Sequence, residues 1–278
     1  MSAALSRFGA FARGLPLSGK IGLGLVLFWL AAAIFGPFIA PYSVGAFVDQ
    51  DVFSDASRRF WLGSDYLGRD VLSRLLWGAR YTVFLGLGSA LLASFSGTAL
   101  ALTAAIRGGW IDEVLSRTMD TLISIPSKIL ALVLVAAFGS SLTLLLLIPA
   151  ITYTPGNFRI SRALAMNLVG LDFVSVARTR GESARWIATR EILPNMIHPW
   201  LADLGLRFVF IVLLLSGLSF LGLGVQPPHA DLGSLVRENV SGLTYGALAI
   251  IAPAIAIATL TVGANLLIDA LKPVDDRA

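Results

Sequence analysis

The chain has 278 residues, of which 56% are hydrophobic and only 14% charged, whereas about a quarter of a water-soluble domain is charged. That deficit excludes a molecule whose whole surface faces water. Cysteine is absent, so neither a disulfide framework nor a thiolate metal centre is open to it. His198 and His229, the only two histidines, are too few for a histidine-built centre. The formal charge of +4 is small, and its placement matters more than its size, because basic residues orient membrane proteins.

Crossing a hydrocarbon layer takes about 20 mostly apolar residues. Residues 1–20 carry Arg7, Arg13 and Lys20, and Ile21–Ala40 then runs 20 residues without a charge. Such a start also resembles a secretory signal, but the run exceeds a usual signal core and no cleavage site follows; it is read as a retained first span, 21–40. Residues 41–80 are hydrophilic. Tyr81–Ile106, 26 uncharged residues, gives the second span, 81–106. Ile129–Phe158 is uncharged for 30 residues, too long for one crossing, and Gly139-Ser140-Ser141 interrupts it. The pattern predicts two spans, 119–138 and 142–163, joined by a tight turn; without that turn the count falls to five. A polar stretch over 164–195 follows. The run Phe208–Ala230, starting near Pro199, predicts a fifth span over 199–224. A sixth is expected over 246–270, with a tail over 271–278. The fold class expected is all-α, a polytopic membrane protein of about six helices.

An N-terminus inside the cell places 13 of the 21 basic residues on the cytoplasmic side. Six fall outside (Arg58, Arg59, Arg69, Arg74, Arg80 and Arg237), while Lys128 and Arg207 lie within spans. The 41–80 segment also carries Asp49, Asp51, Asp55, Asp65 and Asp70, but acidic residues contribute little to orientation. Both ends are therefore expected in the cytoplasm, with 41–80 outside and 164–195 as the longest internal loop.

That loop carries the most specific pattern. Asp172 suits an N-cap; Phe173, Val176 and Ala177 share one helical face, with Arg178 and Thr179 on another. Gly181 can adopt a left-handed conformation and end the helix. A second short helix places Ala184, Ile187 and Ala188 on its apolar side, and Pro194 closes it. The result is a helix–Gly–helix elbow against the ends of the spans. It suits either docking on a partner or service as an ordinary amphipathic connector.

The segment resembles the coupling loop of ABC-transporter permeases of the dipeptide/oligopeptide/nickel family. Gly181, the step of 13 residues to Pro194, and Ile192-Leu193-Pro194-Asn195 fit that form. Ser175-Val176-Ala177 departs from the family's Glu-Ala-Ala, and Arg180 replaces its usual leucine. The stretch from Trp61 to Arg80 (WLGSDYLGRDVLSRLLWGAR) and Ser219 to Pro228 (SFLGLGVQPP) is similar to the family's segments before the second span and ending the fifth. Asn265 to Pro273 is a looser match, and Leu232 stands where an aromatic is usual before Gly233. The resemblance implies the permease half of an ATP-driven importer for peptides or similar small polar solutes, including metal chelates, in the bacterial inner membrane. Implied partners are a second homologous permease subunit, two cytoplasmic ATPase subunits, an extracytoplasmic solute-binding protein and membrane lipid. ATP and its Mg would be held by the partner subunits, and this chain would hold no cofactor. The coupling residues implied are Ser175, Ala177, Arg178, Gly181, Glu182, Arg185 and Pro194.

Other motifs read as structural. Asp65, Arg69, Asp70 and Arg74 alternate in sign at near-helical spacing and can pair with one another. Gly222, Gly224 and Pro227-Pro228 end a span. Gly14 to Lys20 imitates a phosphate loop, but Ile21 stands where a Ser or Thr would hold magnesium and no strand precedes it. Asp203 and Arg207, four apart on the fifth span, can neutralise each other or line a path, whereas Asp120 and Lys128 are too far apart to pair. No catalytic constellation or metal site is expected, and the basic cluster lacks the aromatics of a nucleic-acid surface. A secondary carrier or channel, or a membrane-embedded structural subunit of an enzyme complex, remain as other readings.

Overall fold

A computed structural model describes residues 14–271, and their regular structure is helical apart from one isolated bridge between Ser64 and Asp70. Arg7, Arg13, Lys272 and Arg277 of the orientation count lie outside the described residues. The helices are α1 (Leu17–Ile39), α2 (Val71–Arg107), α3 (Gly109–Ser124), α4 (Ser127–Phe138) and α5 (Leu142–Val169). Then come α6 (Asp172–Thr179), α7 (Ala184–Trp186), a π-helical turn over Ile187–Ile192 and α8 (Leu193–Asn195). The chain ends in α9 (Ile197–Phe220), α10 (Leu232–Glu238) and α11 (Leu248–Leu271). Four of these, α1, α2, α9 and α11, are long and apolar enough to cross a membrane alone, and the bent pairs α3–α4 and α5–α6 raise the number to six.

Pair contacts fix the directions. Ser89 Oγ of α2 donates to Leu146 O of α5 at 2.7 Å, Ser96 meets Thr154 at 2.9 Å and Thr98 meets Asn157 at 3.0 Å. Both numbers rise together, so α2 and α5 are parallel, and the intervening α3–α4 must carry the chain back across the bundle. α9 opposes α2: Trp200 bonds Thr98 at 2.8 Å while Val212 lies at Gly86. α11 opposes α1, since Trp29 Nε1 donates to Thr259 Oγ1 at 3.0 Å and Gly19 lies at Ala270. A methyl placed on Gly22 would stand 2.6 Å from Leu267 N, so this crossing needs glycine. The first and last described residues therefore share an end of the bundle with the α5–α9 connection.

The core follows the same contacts. Trp29, Val83, Val212, Leu232 and Leu260 join α1, α2, α9, α10 and α11 in one buried cluster. Large apolar side chains also point outward, among them Phe28, Phe35 and Phe38 of α1, Phe95 of α2 and Phe210 of α9. Water would expel such a surface, and a hydrocarbon surround accommodates it.

Several boundaries differ from the sequence reading. The second long helix begins at Val71 rather than Tyr81, because Asp70 accepts from Ser73 N at 2.8 Å and caps it ten residues earlier. The helix expected over 119–138 is two helices bent by 88°. Pro126 explains the break: it has no N–H to donate and drives Ile125 out of the helical region, to ψ 122°. The fourth continues to Val169, beyond 163. The fifth runs 197–220 rather than 199–224, ended by a reversal at Gly222 with φ +87°.

Candidate coupling elbow and polar networks

The elbow forms as the glycine reading requires. Gly181 has φ +79°, its N–H donates to Arg178 O at 3.0 Å, and Glu182 N donates to Ala177 O at 3.1 Å. This paired pattern ties off the last carbonyls of α6 and turns the chain sharply. Ser183 then opens α7 by accepting from Trp186 N at 3.2 Å. Beneath the turn, Val174, Ala177, Ile187, Ile192 and Met196 are buried with Leu102 of α2 and Ala165 of α5. The elbow is thereby bolted to the ends of the two parallel helices.

Four details correct the expectation. The N-cap is Leu171, without a side-chain bond, and Asp172 lies in the first turn of α6, where a carboxylate still favours the helix dipole. Val174, not Val176, shares the inward face with Ala177; Val176 is 54% exposed. Ala177 is buried and supports the elbow from below. Pro194 does not end a helix. It stands in the first turn of α8, where a missing N–H is tolerated, and the preceding π turn lets the helical path continue to α9. Ser175, Arg178, Arg185 and Pro194 are exposed and Glu182 half-buried, with Arg180 3.5 Å from Glu182.

Inside the bundle, Asp203 and Arg207 form a two-pronged ion pair, with both Nε–Oδ2 and Nη2–Oδ1 at 3.0 Å. Asn157 Nδ2 donates to Asp203 at 2.7 Å, Thr98 Oγ1 donates to Asn157 Oδ1 at 3.0 Å, and the Trp200 indole donates to Thr98. Burial makes a charge costly unless it is paired and hydrogen-bonded; this chain of contacts satisfies the pair while tying α2, α5 and α9 together. A second two-pronged pair, Arg162 with Asp112 at 2.5 Å, ties α5 to α3. Asp120, which pairs with nothing on α4, instead lines a cavity with Arg159 and Arg162.

At the opposite end, Asp65 accepts from Arg69 Nε at 2.7 Å and Arg74 Nη1 at 2.9 Å, and Glu238 accepts from the same two arginines at 2.9 and 2.7 Å. Residues 65–70 are not helical, so the pairing comes from a tight turn in which Asp65 Oδ1 also accepts from Leu67 N and Arg69 N. Asp70 is a cap rather than an ion partner. Burial alone would lower the Arg69 pKa, but the Asp65 carboxylate, with Glu238, raises it above its ordinary value. The sequence reading missed Glu238, which lies 164 residues beyond Arg74. Asp231 makes a similar knot, accepting from Ser219 Oγ at 2.7 Å, Val225 N at 3.0 Å and Ser234 N at 3.0 Å. A methyl on Gly224 would collide with Ser219, which gives the 219–228 motif a packing reason.

Such a bundle, outwardly apolar and built from helices long enough to cross a hydrocarbon layer, is that of a multi-pass membrane protein. The family model described as binding-protein-dependent transport system inner membrane component matches residues 97–274, and the chain belongs to that family, among the dipeptide/oligopeptide permeases. It is 33% identical to the glutathione transport system permease protein GsiD of Pectobacterium atrosepticum, over 89% of this chain and 82% of the relative. It is 35% identical to a putative peptide transport system permease of Brucella suis, over 93% and 87%. The dipeptide transport system permease DppC of Haemophilus influenzae is 30% identical, over 91% and 88%. These relatives are transport permeases rather than enzymes, and the family is one of inner-membrane proteins.

Proposed function

We propose that this chain is one half of the translocation path of an ATP-driven importer for peptides or similar small polar solutes, glutathione and metal chelates included. The elbow end faces the cytoplasm, as the excess of basic residues there requires, and both chain termini lie on that side. Ser175, Arg178, Gly181 and Glu182 form the surface that a cytoplasmic ATPase subunit grips, while Arg185 of the coupling set faces the end of α2 instead. Two such subunits hold ATP and Mg, a second related permease completes the path, and a solute-binding protein delivers cargo at the end bearing Asp65 and Glu238. Closure of the ATPases moves the elbow, and the buried contacts of Val174, Ile187 and Ile192 with Leu102 and Ala165 pass that movement to α2 and α5. The Asp203–Arg207 pair serves as a structural tie within the moving body, since both charges are already fully engaged.

The observation that carries this reading is the glycine-hinged elbow, rigid underneath and bare on top, in a chain of this family. Its test is Gly181→Val in the assembled transporter. A β-branched residue is strained at φ +79°, so ATP hydrolysis should persist while solute uptake falls. Undiminished uptake by that variant, or uptake by the isolated chain without nucleotide, would overturn the proposal.

A further inference from the structure

Between the end of α2 and the π turn lies a cavity of about 290 Å3. Its floor is apolar, built from Leu102, Ile106 and Ala188, and its rim carries Arg107 and Arg185. Among the described residues neither arginine has a carboxylate partner. Arg69, Arg74, Arg162, Arg180 and Arg207 are ion-paired, whereas these two keep their charge available to a ligand at the mouth of an apolar cavity. Both are exposed. Arg107 is the last residue of α2, so it stands where the apolar surface of that helix gives way to polar chain.

We propose that this cavity is a binding site for an acidic phospholipid of the elbow-side leaflet, such as phosphatidylglycerol. The two halves of the cavity match the two halves of that ligand. An acyl chain lies against Leu102 and Ile106, and the headgroup phosphate meets the two guanidinium groups, which present planar arrays of donors suited to phosphate oxygens. A zwitterionic lipid offers the same chains but carries its own cation, which competes with the arginines. A soluble anion offers the phosphate without the chain that fills the floor. Because one wall is α2 and the other the segment that follows the Gly181 hinge, the lipid bridges the elbow to the bundle and favours the arrangement seen here. The inference rests on the elbow being the coupling element.

The test uses the complete transporter, with both permeases and its ATPase subunits, in nanodiscs of phosphatidylcholine containing increasing phosphatidylglycerol. Retained lipid is counted by native mass spectrometry, and substrate-stimulated ATP hydrolysis is measured in parallel. The wild type should retain phosphatidylglycerol and gain activity with it. Arg107→Gln should bind it about fivefold more weakly, the loss expected for one basic residue at a lipid surface, and Arg107→Lys should recover most of that. Thr103→Trp, which fills the cavity and leaves both charges, should abolish retention even where Arg107→Gln assembles poorly. Equal retention by wild type and Thr103→Trp, or retention of phosphatidylcholine as readily as phosphatidylglycerol, would overturn the site. If solute fails to stimulate hydrolysis in any lipid while phosphatidylglycerol is still retained, the importer reading falls and the lipid site stands.

Discussion

The two ends of the bundle hold their shape in opposite ways. At one, Asp65, Arg69, Arg74 and Glu238 form a closed set of buried charges, each arginine touching both carboxylates. At the other, the elbow is fastened from below by apolar side chains, and its polar residues face outward with few partners. The first arrangement tolerates no loss of a member, because a single removal strands a buried charge. The second tolerates changes on its upper face and not underneath. A part whose charges close on one another and a part whose polar face is left open have been built with different chemistry.

The sharpest way to break the comparison is Glu238→Ala, which leaves two buried arginines sharing one carboxylate. It should destabilise the chain by about 3–5 kcal/mol, read as a lowered unfolding midpoint of the purified protein in detergent. Ile187→Ala, beneath the elbow, should lose about 2–5 kcal/mol through the cavity it leaves, and hydrogen exchange should rise in α6 and the π turn while α2's first turns stay protected. Gly181→Val should lose about 1–2 kcal/mol from left-handed strain alone, since the space around that position is open. Ser183→Ala removes a helix cap and should cost about 1 kcal/mol. Arg178→Ala, on the bare face, should change stability by less than about 0.5 kcal/mol yet reduce uptake per ATP hydrolysed. If Arg178→Ala unfolds the protein, or Glu238→Ala leaves it unmoved, the contrast between the two ends is wrong.

Much of the helical framework was legible because long uncharged runs have few ways to satisfy their backbone in a membrane. The turn at Gly139 and the hinge at Gly181 were legible for a related reason: at φ +94° and +79° only glycine is unstrained. What the sequence hid was set by distant partners. Nothing near Arg74 announces Glu238, and nothing in α6 says whether Val174 or Val176 turns inward; that depends on where α2 and α5 pass. Pro126 was visible, but its effect was masked by the apolar residues that follow it. The Asp203–Arg207 pair was readable from its spacing, whereas Asn157, which bridges it to α2, was not.

The 37 residues of α2, at about 1.5 Å each, make a rod of roughly 55 Å, well beyond the roughly 30 Å of a hydrocarbon layer. Its first turn is clamped by the charged knot and its last turns are seated in the elbow. Pivoting such a lever by about 10° at the clamp sweeps the far tip through roughly 10 Å, by the same length arithmetic. Small angular play at the clamped end is thus magnified into displacement at the elbow end, and stiffness along the rod becomes as consequential as either of its anchorages.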